Sequence, residues 1–512
     1  MFWADEIALG LKKHPLHHVD DMKTPSGRIH VGALRGVIIH DLVCKVLIDK
    51  GKKSVYTYVI NDHDPMDSLP IYLDKTKFQK HLGEPLYKIP SPKLGFKNYA
   101  HYWAQEFIDV FESLGARPEI VWSSDLYSSG KMNGVIKEAL DQAPETLKIY
   151  RKVAGYSEKR KDWLPFQIVC PNCGKLGTTE TFDWDVKTVA FNCLPDLVSW
   201  AKGCGVQGRI SPFGGKGKLL WKVDWPAHWK VLGVTFEGGG KDHFSKGGSW
   251  DMAAEICRKI FEYPKPEGIG YEFFLIGGKK MSSSKGQGSS AADVAQILPP
   301  ELLRFLMVRT PYKRAINFDP SGMTIPDLFD EYDRCASEWF KEGRKSNMGR
   351  IFELSQTGKV PKKKINFPRF RDVATYVQMS GVDIRKQFPD IDQEILEERI
   401  KYAKIWLESY APDDFIFRIT EKVPEVVKNF SKKQKQYLLA LIEILEKEDI
   451  ETAQDLEKRM YEVAKELELP PSEAFKTIYL SLLGKTHGPR ASDIIFTDRQ
   501  IILKRLKEVI VI

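Results

Sequence analysis

Apolar residues recur along this chain at two different periods. Residues 16–20 read as a short strand, and a glycine-bearing loop follows. Over residues 31–50, Leu34, Val37, Ile38, Leu42, Val46 and Leu47 keep the spacing of one helical face, and Gly51 supplies a stop. Ser54-Val55-Tyr56-Thr57-Tyr58-Val59-Ile60 is a second strand. Strand, helix and strand in that order form a βαβ unit, which predicts a parallel, helix-covered sheet and an α/β fold of the nucleotide-binding kind.

From about residue 150 to 217 the pattern breaks into short strands, glycines and cysteines. It resumes at Leu219-Leu220-Trp221-Lys222-Val223-Asp224-Trp225, as though an insertion splits one sheet. Beyond about residue 326 the periodicity is helical: Ser431 precedes a run with Tyr437, Leu438, Leu441, Ile442 and Leu445 on one stripe. The expected organisation is an α/β domain in two halves (1–149 and 218–275), an insertion (150–217), a connecting region (276–325) and an all-α C-terminal domain (326–512).

Composition narrows the class. A chain of 512 residues exceeds one core, and 42% hydrophobic with 29% charged residues fits a globular protein. There is no apolar run of about 18 residues to span a bilayer. The opening Met1-Phe2-Trp3-Ala4-Asp5-Glu6 lacks the basic start and apolar middle of a secretory signal, so a cytoplasmic location and no membrane partner are expected. The net charge of +8 suggests a polyanionic partner without establishing one. Lys359-Val360-Pro361-Lys362-Lys363-Lys364, followed by Phe367, Arg369, Phe370 and Arg371, suits phosphate contact with base stacking, and suits a solvated linker equally.

Seven cysteines is an odd number, and four of them fall between residues 170 and 204, which favours metal ligation over disulfides. Cys170-Pro171-Asn172-Cys173 is a tight knuckle, and Cys193 and Cys204 complete a thiolate set for structural zinc. The wider spacing of that second pair leaves open replacement of one member by another ligand. Cys44 and Cys257 read as core.

Thr24-Pro25-Ser26-Gly27-Arg28-Ile29-His30-Val31-Gly32 places small residues where a strand turns into a helix. Backbone amides and the helix N-terminus can there face a triphosphate, with His30 donating to it. Such a turn also serves dinucleotides or no ligand at all. Gly278-Lys279-Lys280-Met281-Ser282-Ser283-Ser284-Lys285-Gly286 adds a cationic loop suited to closing over pyrophosphate, the alternative being a flexible basic linker.

The pair resembles the two signature motifs of class I aminoacyl-tRNA synthetases, and its form is similar to that of the class I lysyl-tRNA synthetases. The resemblance extends through Trp221-Lys222-Val223-Asp224-Trp225-Pro226, Gly240-Lys241-Asp242-His243, Pro471-Ser472-Glu473-Ala474-Phe475 and Gly488-Pro489-Arg490. Two departures stand out: Ala33 replaces the second histidine of the first motif, and Ser283 replaces the second lysine of the other. The resemblance implies a Rossmann-type (HUP-like) catalytic domain split by a zinc-binding insertion, with an anticodon-binding helical domain behind it. It implies a lysine-tRNA ligase using ATP with Mg2+, L-lysine and tRNA(Lys), acting as a monomer, with transfer first to the ribose 2′-hydroxyl. Pro25, Ser26, Gly27, His30, Gly32, Lys280, Met281, Ser282, Ser283, Ser284 and Lys285 would meet ATP, with His30, Lys280 and Lys285 catalytic. Trp221, His243 and Tyr271 are the matched lysine-pocket positions, with Thr24 near the substrate's other end. Asp242 beside His243, and Asp62 after the second strand, are candidates from position at sheet C-termini and beside glycines. A glutamyl-type enzyme, a non-catalytic tRNA-binding paralogue and a small-molecule adenylyltransferase are the alternatives.

Overall fold

The computed structural model describes residues 1–154, 162–277, 290–379, 382–497 and 499–512. The chain divides into two units, Met1–Asp319 with Cys335–Val360, and Pro320–Arg334 with Pro361–Ile512.

In the first unit, β1 (His17–Lys23), β2 (Ser54–Ile60) and β3 (Glu119–Trp122) run parallel, and each side-by-side pair is in register from end to end of the shorter strand. Helix α1 (Trp3–Gly10) precedes β1, and α2 (Gly32–Asp49) makes the crossover from β1 to β2. The apolar positions expected of α2 are all buried. Burial on both faces explains why β2 is nearly continuous in β-forming residues.

The insertion follows. Strands β4 (Phe166–Ile168), β5 (Thr179–Trp184), β6 (Val189–Cys193), β7 (Gln207–Ile210) and β8 (Gly217–Leu219) are antiparallel, pairing β4 with β8, β5 with β6, and β6 with β7. The helix Trp221–Leu232 comes next and ends at Gly233, whose φ of 77° is the left-handed conformation that glycine adopts without strain. Strand β9 (Phe236–Glu237) then returns to the main sheet beside β1, giving the order β3-β2-β1-β9. Two short parallel pairs lie beyond: β10 (Gly239–Gly240) with β11 (Gly270–Tyr271), and β12 (Phe274–Ile276) with β13 (Ile316–Phe318).

The second unit is helical among its described residues. Ser431 caps the helix Lys432–Lys447, and Tyr437, Leu438, Leu441, Ile442 and Leu445 enter its core. Of the aromatic residues expected to interleave with the basic run, Phe370 is interior and Phe367 half-buried. Phe370 is fully buried and stacks on Phe329 at 4.1 Å, and Phe367 lies under the Arg399 guanidinium at 4.8 Å. Arg371 pairs with Asp327 and Asp330. The Phe370 ring, committed to the core, offers no base-stacking platform.

Candidate active site

The signature turn begins where β1 stops, at the C-terminal edge of the sheet. Asn61 donates its amide to the Lys23 carbonyl at 2.9 Å, which holds the ends of β1 and β2 together. The turn is braced from outside by the Tyr99 hydroxyl donating to the Ser26 carbonyl at 2.9 Å and the Arg28 amide donating to the Tyr72 hydroxyl at 2.6 Å. Pro25 and Gly27 are buried in the turn and line neither of the two cavities described below. His30 folds back over the first turn of α2, where a Cβ on Gly32 would lie 2.8 Å from its Nδ1. Glycine here is a condition for the imidazole's position.

Lys280, Met281, Ser282, Ser283, Ser284 and Lys285 lie outside the described residues, but both flanks of their loop are tied to this turn. Downstream, Ser290 bridges to His30, the Ala291 amide donates to the Ile29 carbonyl at 2.9 Å, and Asp293 pairs with Arg28 at 3.1 Å. Upstream, the buried Arg35 of α2 donates to the Phe273 carbonyl at 3.1 Å, just before β12, and to the Pro311 carbonyl at 3.0 Å. Its role was invisible in the sequence, where it sits in an apolar helix with no local partner.

Beside the turn lies a cavity of about 300 Å³ lined by His30, Gly32, Ala33, Trp221, Asp242, His243 and Tyr271, together with Asp21, Lys23 and Glu237. Trp221, 45% exposed, meets His243 edge-on at 6.1 Å and stacks loosely on Trp225. The glycines of residues 238–240 let this wall close: the Gly238 amide donates to His40 Nε2 at 2.7 Å, and Asp242 Oδ1 is 2.7 Å from where a Gly240 Cβ would stand.

The floor is acidic. Asp20 and Glu237 are register partners on β1 and β9, and Asp21 follows. Glu237 accepts from the indole nitrogens of Trp225, at 2.8 Å, and Trp229. Burial pushes the Asp20 and Glu237 carboxyls above the usual carboxylate range; the Asp21 charge raises Asp20 further, and the Asp20 charge raises Glu237 further. Burial raises Asp21 too, opposed by His40 at 3.5 Å and by Lys23. The Lys23 ammonium is held below its usual range by burial, with Asp21 and Asp242 pulling the other way. The two adjacent acids in one buried parallel strand were the sequence signal for this floor.

Two expected residues stand elsewhere. Asp62 is only 1% exposed and lines neither this cavity nor its neighbour: its carboxylate accepts from the Ser124 amide at 2.8 Å and hydroxyl at 2.6 Å. Burial raises its pKa to about 6. The chain turns sharply after β2, so the acid pointing toward the site is Asp64. Thr24 donates to Asp64 Oδ2 at 2.6 Å, away from the first cavity. Both belong to a second cavity of about 480 Å³, which Ser26, Lys218 and Trp221 also line. Lys218, 3% exposed in its side chain, bridges Asp64 and Asp224, the latter at 2.8 Å, and donates to Asn61 at 2.8 Å. No local pattern announced it, because two of its three partners, Asn61 and Asp64, are remote in sequence.

In the insertion, the sulfurs of Cys170, Cys173, Cys193 and Cys204 all lie within 4.8 Å of one another. Cys170 and Cys204 approach to 3.6 Å, as do Cys173 and Cys193, and Cys193 Sγ also accepts the Cys204 amide at 3.3 Å. Four thiolates about 2.3 Å from a tetrahedral zinc stand roughly 3.8 Å apart, so the donor set fits that ion.

Residues 1–358 match the family described as tRNA synthetases class I (K), and residues 389–510 match the anticodon binding domain. The chain belongs to the class I tRNA synthetases. A protein named lysine–tRNA ligase from Methanosarcina barkeri is 34% identical, with 99% of this chain and 97% of that protein aligned. One of the same name from Archaeoglobus fulgidus is 34% identical over 96% of each, and one from Methanocaldococcus jannaschii is 32% identical over 99% of each. Class I synthetases use ATP and charge a tRNA, and the helical unit of this synthetase carries the anticodon-binding match.

Proposed function

We propose that this synthetase is a lysine-tRNA ligase, activating L-lysine with ATP and passing the lysyl group to tRNA(Lys). One observation carries the lysine assignment: the cavity beside the signature turn has aromatic walls and a carboxylate floor, with no arginine among its described lining residues. Lysine's methylenes pack along Trp221 and Tyr271, and its ammonium meets Asp21, where cation–π and charge-assisted contacts add. His243 and Asp242 close the cavity. A glutamyl side chain set against Asp21 would face like charge, and Lys23, which lines the same cavity, is drawn toward Asp21 and Asp242.

In the first step a lysine carboxylate oxygen bonds to the α-phosphorus of ATP, and the bond from that phosphorus to the pyrophosphate oxygen breaks. His30 and the amides at the start of α2 stabilise charge on the pentavalent phosphorus. Lys280 and Lys285 receive the departing pyrophosphate, and Mg2+ bound with ATP would supply further neutralisation of the phosphates. Zinc held by Cys170, Cys173, Cys193 and Cys204 has a structural task, ordering an insertion of short strands.

Calorimetric titration with lysine, ornithine, arginine and glutamate tests the pocket. Lysine binding with glutamate silent is the expected result; glutamate binding in preference overturns the assignment.

A further inference from the structure

The mechanism leaves Lys23, a cation lining the first cavity, without a role. It is the last residue of β1, and its backbone is fixed from both sides: its carbonyl accepts the Asn61 amide at 2.9 Å, and the next residue, Thr24, bonds Asp64 at 2.6 Å. Side chains alternate along a strand, so Lys23 shares a face of β1 with Asp21 and stands roughly 6.6 Å nearer the signature turn. Asp21 is set back against α2, its Oδ2 3.0 Å from where a Gly36 Cβ would lie, and His30 lines the cavity from the turn itself. The Lys23 side chain is half-buried, and burial holds its pKa down while Asp21 and Asp242 raise it. Among the described residues it forms no ion pair with either of them. A cation that has given up part of its hydration without closing a salt bridge gains most from an anion brought in from outside.

We propose that Lys23 grips the α-carboxylate of the amino acid, holding one oxygen so that the other is turned toward the α-phosphorus of ATP. The inference rests on the ligase reading. The charges that line the cavity are then the inverse of those of free lysine: Asp21 and Asp242 stand against its two ammonium groups, and Lys23 against its one carboxylate. The order along β1 fits as well, because the acid lies deeper and the lysine lies toward the turn that carries His30, where the carboxylate has to meet phosphorus. Lys23 keeps its protons and donates to the oxygen that does not attack. Once the other oxygen has bonded to phosphorus, the held oxygen is the carbonyl oxygen of the adenylate and carries less charge. The grip is therefore strongest on the bound amino acid, and its loss falls on binding more than on the chemical step.

Calorimetric titrations of L-lysine and of L-lysinol, in which a hydroxymethyl group replaces the carboxylate, read this contact without any chemical step. Lys23→Met should weaken lysine binding about 10- to 100-fold, the range of a charge-assisted hydrogen bond. It should leave lysinol bound as tightly as before or more tightly, since both amines of lysinol are freed of a like charge. Lys23→Arg, which keeps the cation, should recover most of the lysine affinity. In lysine-dependent ATP–pyrophosphate exchange the methionine variant should raise KM for lysine by a similar factor, with kcat within about threefold and KM for ATP little changed. Equal weakening of lysine and lysinol would show a damaged cavity, and tighter binding of both would make Lys23 an internal competitor for Asp21. Either result, or lysine binding that does not change, overturns the proposal. If Lys23→Met does not fold, Lys23→Gln carries the same comparison. Failure of the unaltered protein to bind lysine is a different result, and it removes the ligase reading itself.

Discussion

A Cβ on Gly36 of α2 would lie 2.5 Å from the Tyr271 hydroxyl and 3.0 Å from Asp21 Oδ2. The helix thus yields, at one residue, the space in which a tyrosine and a carboxylate meet at the back of the first cavity. Gly36→Ala gains helix propensity and loses that space. Its expected effect is a rise in KM for the amino acid of about tenfold or more with KM for ATP little changed, since close positioning is sensitive to shifts of an ångström. Steady-state exchange kinetics with each substrate varied check this.

Asp21 gives a pH signature. Its folded-state pKa is raised by burial, so it binds its proton at a pH where an ordinary carboxylate has lost it. Protonated, it does not attract an ammonium, so kcat/KM for the amino acid should fall as pH drops through that raised value and level off above it. Asp21→Asn should lower kcat/KM by on the order of 10²-fold, because a buried polar site is left without its charge partner, and should remove that acidic limb.

Asp62 acts on stability instead. Its folded pKa of about 6 exceeds the unfolded carboxyl value, so the folded chain binds the proton more tightly. Stability contributed by the protonated form is therefore lost as pH rises between the two values, by on the order of 2–3 kcal/mol, and the cost is complete above the folded pKa. Asp62→Asn, which keeps an acceptor for Ser124, should raise Tm relative to the unaltered protein at pH 8 and by roughly half as much at pH 5.

His30 and Gly32 should fail together. Alanine at position 30 removes a donor near the reacting phosphorus and should lower exchange by on the order of 10²-fold. Alanine at position 32 displaces the same imidazole, given the 2.8 Å approach to Nδ1, and should reproduce much of the loss in kcat. Purified variants compared in one exchange assay decide it.

Cys173→Ser should lower bound zinc well below one per chain by elemental analysis and lower Tm, since structural zinc binding is also folding free energy. Zinc retained at full stoichiometry would exclude Cys173 as a ligand.

Much of this was legible in the sequence because it is local. Strand β2 spans the residues expected of it, and Ser431 caps the helix it announces. The four cysteines converge as a set, the wider gap before Cys204 being absorbed by β7 lying antiparallel to β6. What was not legible depends on distant partners. Asp21 matters because β9 comes to lie beside β1; Lys218 and Asp64 are joined across the insertion; and Arg35 ties α2 to β12 through carbonyls with no sequence signature. The exchange of Asp62 for Asp64 came from a turn after β2 that periodicity does not resolve.

The most direct test is ATP–pyrophosphate exchange across all twenty amino acids. Lysine should drive exchange at least about 100-fold faster than glutamate or arginine, an interval that a buried charge partner supports. Exchange driven best by glutamate, or by no amino acid, would contradict lysine activation at the Asp21 floor.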